Sequence, residues 1–90
     1  MVKMKIQIDP HTLERAKERG ASIKEIRNVI LTGFSVPAKQ GRMGKAKIYP
    51  FNKKRLGKYY EQTRVEIFYT IEDNTIITVT VYVFYGQWEV

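Results

Sequence analysis

The chain has no cysteine among its 90 residues, a single histidine, and nine carboxylates against sixteen lysines and arginines. The missing cysteine removes disulfide frameworks, a thiol nucleophile and cysteine-based zinc sites, and one histidine leaves little from which to build a transition-metal site. No metal site and no cofactor are therefore expected beyond weak magnesium binding by carboxylates. No apolar run approaches the roughly 20 residues a membrane-spanning helix needs, and "MVKMKIQIDP" is too short and too interrupted by lysine for a secretory signal. The expectation is a cytoplasmic protein with no membrane partner. A Walker loop, a serine-hydrolase elbow and a dinucleotide fingerprint are also missing.

What is present is enough apolar surface to fold. Hydrophobic residues make up 43%, with six Tyr, four Phe and one Trp, and the length suits one domain over residues 1–90. The net charge of +7 is unevenly spread. Between Lys39 and Arg64 the sequence carries a net +8, with Glu61 as the lone carboxylate, and the remainder sums to −1. A concentrated basic segment is the electrostatic footprint of a polyanion binder, because Lys and Arg displace counterions from phosphates. Lys45, Lys47, Lys53, Lys54, Arg55, Lys58 and Arg64 are the expected nucleic-acid contacts, interleaved with Tyr49, Phe51, Tyr59 and Tyr60. A solubilising surface or a thermophile's lysine-rich composition is the alternative origin of such a segment.

Periodicity orders the elements. "VKMKIQI" (2–8) alternates apolar and polar residues as an edge strand does. Asp9 and Pro10 form a helix start, and Gly20 suits the left-handed cap of a helix over 10–19. Ser22 and Glu25 make a capping box for a second helix that ends near Thr32, before Gly33. Residues 34–47, with Pro37, Gly41 and Gly44, read as a loop; "KAKIYPF" reads as a short strand ended by Pro50, and "NKKRLGK" as a basic turn. Arg64 to Tyr85 reads as a long hairpin around "EDNT".

Two registers are open for that hairpin. A two-residue turn at Asp73-Asn74 sets Ile71 opposite Ile76. A three-residue loop instead puts Val65, Ile67, Tyr69 and Ile71 on one face with Ile77, Val79, Val81 and Val83. The second gives the purer apolar face and is the one expected, with Arg64, Glu66, Phe68, Thr70, Thr78, Thr80, Tyr82 and Phe84 on the other. Two helices cover only one face of such a sheet. The expected fold is α+β: an N-terminal strand and two helices packed on one face of a twisted antiparallel sheet.

On the first helix His11, Arg15 and Arg19 fall within one 80° stripe, opposite the docking side of Leu13 and Ala16. Charged residues on a helix are usually a solvated surface, and Arg15 has Glu18 three residues on. The stripe nevertheless holds residue types that metal-free RNA cleavage needs: a base for the ribose 2′-hydroxyl, a cation for the phosphorane and an acid for the leaving oxygen. His11, Arg or Lys, and Tyr fill those roles.

The run His11-x3-Arg15-x3-Arg19-Gly20-x-Ser22, the apolar helix after it and the terminal "VEIFYTIEDNTIITVTVYVFYGQW" resemble the domain of unknown function 4258 family, over most of the chain. That family is similar to the RelE/ParE toxin superfamily, small antiparallel sheets packed against N-terminal helices. The resemblance implies a RelE-like fold and an endoribonuclease that is the toxin of a toxin–antitoxin pair. It maps the family's motif positions to His11, Arg15 and Arg19, and a polar strand partner to Thr78 or Thr80. Toxins of the RelE type act mainly through Lys, Arg and Tyr of the sheet, for which Lys58, Arg64 and Tyr82 match by type. The implied partners are RNA, free or ribosome-bound, an acidic antitoxin and a second copy of the chain. A non-catalytic RNA-binding or protein-interaction module is the alternative, and topoisomerase inhibition of the ParE kind a third. The ending "YGQWEV" carries no basic residue or histidine of a toxin's C-terminal signature.

Overall fold

The computed structural model describes residues 4–88; Val2 and Lys3 of the expected first strand lie outside them. The elements in chain order are β1 (Lys5–Gln7), α1 (Pro10–Arg19), α2 (Ile23–Thr32), β2 (Phe34–Val36), β3 (Met43–Arg55), β4 (Lys58–Glu72) and β5 (Thr75–Gly86). They form a five-stranded sheet in the order β1-β5-β4-β3-β2, with both helices on one face. The fold is α+β.

The helices end where their local chemistry dictates. Asp9 caps α1 by accepting the His11 backbone N–H, and Gly20 closes it at φ 89°. Ser22 and Glu25 satisfy each other's backbone N–H groups at the start of α2. Gly33 then ends α2 for a steric reason. A Cβ there would stand 2.5 Å from the Val29 carbonyl oxygen and 2.6 Å from that of Ala46, so the helix end and β3 pass too closely for any side chain.

Expectations for the sheet need three corrections. The first concerns its sense: β1 runs parallel to β5, pairing Lys5 with Thr75 and Gln7 with Ile77, so the sheet is mixed. The direction of β1 is tied to α1, because the Asp9 N–H donates to Thr78 Oγ1 and holds the strand-to-helix corner against β5.

The second concerns residues 34–58. Most of the expected loop is strand: β2 pairs Phe34 with Ala46, and β3 runs on past Pro50 to Arg55. Gly44 belongs to the strand because a Cβ there would meet the Phe68 ring at 2.8 Å and Val36 at 2.9 Å. Pro50 is tolerated because β2 no longer flanks β3 beyond Ala46, and a bulge before Lys53 with Asn52 at φ 50° absorbs the irregularity. Only Leu56 and Gly57 form the turn.

The third is the hairpin register. Asp73 and Asn74, at φ 47° and 58°, make the two-residue turn, and Ile71 faces Ile76. A bulge at Val79 then moves the register by one residue, so that Ile67 faces Val81 and Val65 faces Val83. The apolar face expected from a longer loop is therefore found away from the turn. Next to the turn Ile76 and Thr78 point to the helices instead of Ile77 and Val79. Ala16, Ile26, Val29, Val65, Ile67 and Val81 are the innermost apolar residues of the resulting core.

Candidate nucleic-acid interface

The His11, Arg15 and Arg19 stripe is divided by what its members touch. His11 is exposed at the helix start, and Arg15 forms an exposed pair with Glu18 at 3.2 Å. Only Arg19 reaches the sheet. Its guanidinium donates to the Val81 carbonyl and lies 5.3 Å from the centre of the Tyr82 ring. The reason is the short β1, which covers β5 only as far as Ile77 and leaves a free strand edge for Arg19 to close.

Of the strand candidates, Thr78 is displaced from the expected surface. The Val79 bulge turns it inward, where it is 2% exposed and accepts the Asp9 N–H at 2.9 Å. It is a structural hydroxyl that anchors the start of α1. Thr80 and Tyr82 lie beyond the bulge on the helix-free face. Here Phe68 and Tyr82 meet edge to face at 5.9 Å, and Tyr82 stacks near Phe84 at 6.3 Å, making a row of aromatic surface.

Over one end of this row folds the connection between β2 and β3. Its turn is closed by the Arg42 N–H on the Lys39 carbonyl at 3.0 Å, with Gly41 at φ 82°. A cleft of about 400 Å³ results: Phe68, Thr80 and Tyr82 form its floor, Pro37 and Ala38 a wall, and Lys39 and Arg42 bring two cations to it. Sequence reasoning counts both cations in the basic segment but singles out neither as a contact. Pro37, just before the turn, and Gly41, inside it, are the available signal.

The seven expected phosphate contacts do not form one surface. Lys45 and Lys47 share the helix side of β3, bonded to Ser35 at 3.2 Å and Thr32 at 2.7 Å. Arg64, on the open face, is held by Glu66 at 2.8 Å and lies against Phe34. Lys53, Lys54, Arg55 and Lys58 cluster at the β3–β4 tip. Among these Arg55 is a structural residue. It donates to the Glu18 carbonyl at 3.0 Å and stacks on Tyr85, whose hydroxyl donates to the Arg19 carbonyl. The two side chains satisfy the negative end of α1.

Three phenols are shifted, none of them in the cleft. Burial raises Tyr69, and it raises Tyr85 against the opposing charge of Arg55, with Glu25 adding to the rise. Tyr49 is raised chiefly by burial too, partly offset by its hydrogen bond from Asn28. Among the described residues no cluster of three or more His, Asp or Glu is placed to hold a metal ion, and no helix is long and apolar enough to cross a membrane.

A strand-first α+β domain with two helices on one side and a cationic, aromatic opposite face is the class of protein these observations define. The chain belongs to the family described as a domain of unknown function (DUF4258), whose model matches residues 8–83. No curated protein and no solved structure matches it.

Proposed function

We propose that the chain binds single-stranded RNA across the open face of its sheet, with the cleft as the principal nucleotide site. The observation that carries this reading is the junction of the Phe68–Tyr82 floor with the Lys39 and Arg42 cations. Exposed aromatic rings stack bases, and neighbouring cations take the phosphates, a combination suited to single strands. The RelE-like toxin resemblance agrees with RNA as the ligand and with an acidic antitoxin as a partner that would compete for the same positive surface.

Metal-independent cleavage is the second reading, favoured by the Arg19–Tyr82 pair at the edge of the cleft. There Arg19 and Arg42 would stabilise phosphorane charge, and the Tyr82 and Thr80 hydroxyls are the groups beside the reacting phosphate. His11 is badly placed to serve as base at that point. Eight residues along a helix is about 12 Å. Simple binding is thus the reading with the fewest unfilled roles.

One experiment addresses both. Titrating labelled single-stranded RNA with the wild-type chain, Phe68→Ala and the Lys39→Gln/Arg42→Gln double variant should show weaker binding for each variant. The double variant should also make the slope of log affinity against log salt shallower by about 1.4, near 0.7 per phosphate contact. Unchanged affinity in both variants sinks the site. The same mixtures run on denaturing gels decide cleavage: products formed by the wild type and lost in Arg19→Ala and Tyr82→Phe support the nuclease reading.

A further inference from the structure

Leu56 is the most exposed large apolar residue described, at 95%, and it stands at the tip of the β3–β4 hairpin in a left-handed conformation, φ 51°. Both features are unfavourable for leucine. Asn or Gly would relieve the exposure and the backbone together, and either is the ordinary occupant of this turn position. No contact among the described residues explains the choice: the side chain stands almost wholly in solvent, and a Cβ on the neighbouring Gly57 would have no atom within 4 Å.

The turn that carries this leucine is held rigidly. Arg55, in the last strand pair before the turn, ties the tip to the end of α1 through the Glu18 carbonyl and Tyr85, and only Leu56 and Gly57 stand beyond that clamp. No carboxylate lies between Lys53 and Tyr60, whereas Lys53, Lys54 and Lys58 all do. Lys53 and Lys58 are braced on rings, at 5.7 Å from Phe51 and 5.6 Å from Tyr60, so the cations are carried on a stiff stem. Tyr59, 54% exposed, flanks the tip.

An apolar side chain on a rigidly held cationic tip is suited to prising apart stacked bases. We infer that Leu56 is a wedge that enters a base step of folded RNA, at the junction of a stem and its loop, while Lys53, Lys54 and Lys58 hold the phosphates on either side. Apolar wedges of this kind unstack neighbouring bases, and the loosely stacked ends of RNA helices yield most easily. An anionic membrane is the competing surface for such a tip, but one leucine buries too little apolar area for interfacial anchoring, which draws on a whole amphipathic face. The inference rests on RNA being the ligand, and it assigns to the hairpin a different role from that of the cleft: it opens structure, and the sheet holds the freed strand.

The test uses the full chain and an RNA stem–loop carrying 2-aminopurine at the loop-closing step, whose fluorescence rises on unstacking. Wild-type protein should raise it. Leu56→Asn, which suits the left-handed turn, should melt no lower than the wild type, yet lose the rise and bind the stem–loop about tenfold more weakly, the order expected for one lost leucine contact. Its affinity for a linear single strand should be unchanged. An equal fluorescence rise from Leu56→Asn overturns the wedge and leaves RNA binding standing, whereas no binding of either RNA by the wild type overturns both. Leu56-dependent capture by phosphatidylserine vesicles without RNA unstacking reassigns the tip to a membrane surface and also overturns the wedge.

Discussion

Thr12 lies wholly buried between α1 and the sheet, and its hydroxyl is the one buried side-chain polar atom among the described residues that meets no hydrogen-bond partner. A desolvated, unpaired hydroxyl costs stability, and a methyl group fills the same space without that cost. Thr12→Val should raise stability by about 1 kcal/mol or more, read as a higher denaturant midpoint at unchanged slope. A lower midpoint would mean that the hydroxyl is satisfied in solution. Arg19 shows how residue-level reading from sequence divides. Spacing places it on a stripe with His11 and Arg15, which is correct as helix geometry. That Arg19 alone closes a strand edge depends on β1 stopping at the level of Ile77, a fact of the sheet and not of the helix.

At the scale of elements, the helices are legible in the sequence and the strands only partly so. Asp9, Gly20, Ser22 and Glu25 act on backbone groups within four residues of themselves, so their chemistry is complete in the local sequence. The Gly33 end of α2 is different. Its backbone is extended at φ −73° and needs no glycine for conformation; what demands glycine is crowding by two carbonyls, that of Val29 in the helix itself and that of Ala46, thirteen residues away on β3, and the second is invisible locally. Gly33→Ala should destabilise by about 1–3 kcal/mol through forced separation of α2 and β3, measured by chemical denaturation. A neutral result would show that the two elements separate freely. The extent of β3 escapes sequence reading for a related reason. Gly44 and Pro50 carry loop signals, and these are overridden because Phe68 needs room over Gly44 and because no strand among the described residues pairs with the outer edge at Pro50. The bulge at Val79 likewise answers to the difference between the two-residue turn and the core pattern farther along, and that difference reverses the side on which Thr78 faces.

Across the whole molecule, charge and buried phenols set the response to solution conditions. Tyr49, Tyr69 and Tyr85 are all raised above 10.0, mainly by burial. From the ordinary phenol value up to the raised one, the folded chain keeps protons that the unfolded chain has released. Stability contributed by the neutral phenols is therefore present below pH 10 and lost as pH climbs through the folded values. Thermal melting followed from neutral pH upward should show a fall past about pH 10, and Tyr69→Phe should soften it, since Tyr69 is shifted by burial alone. An identical alkaline fall in that variant would remove the phenol as its cause. The excess positive charge is visible in the composition, but its partition is not. Folding sends Lys45 and Lys47 to the helix side, ties Arg55 and Arg64 to internal partners, and leaves Lys39 and Arg42 over the aromatic floor.

By itself the sequence determined what is local or summed: the two helices with their caps, the α+β class, the cationic middle and the long terminal hairpin. Periodicity, capping chemistry and net charge depend on near neighbours or on composition, so they survive without knowledge of the fold. Tertiary structure decided the parallel seat of β1, the length of β3, the one-residue shift at Val79 and hence which hydroxyls and cations share a surface. Each of those is settled by competition between distant residues for one sheet edge or one layer of core, and an alternating strand has two faces that sequence alone describes equally well.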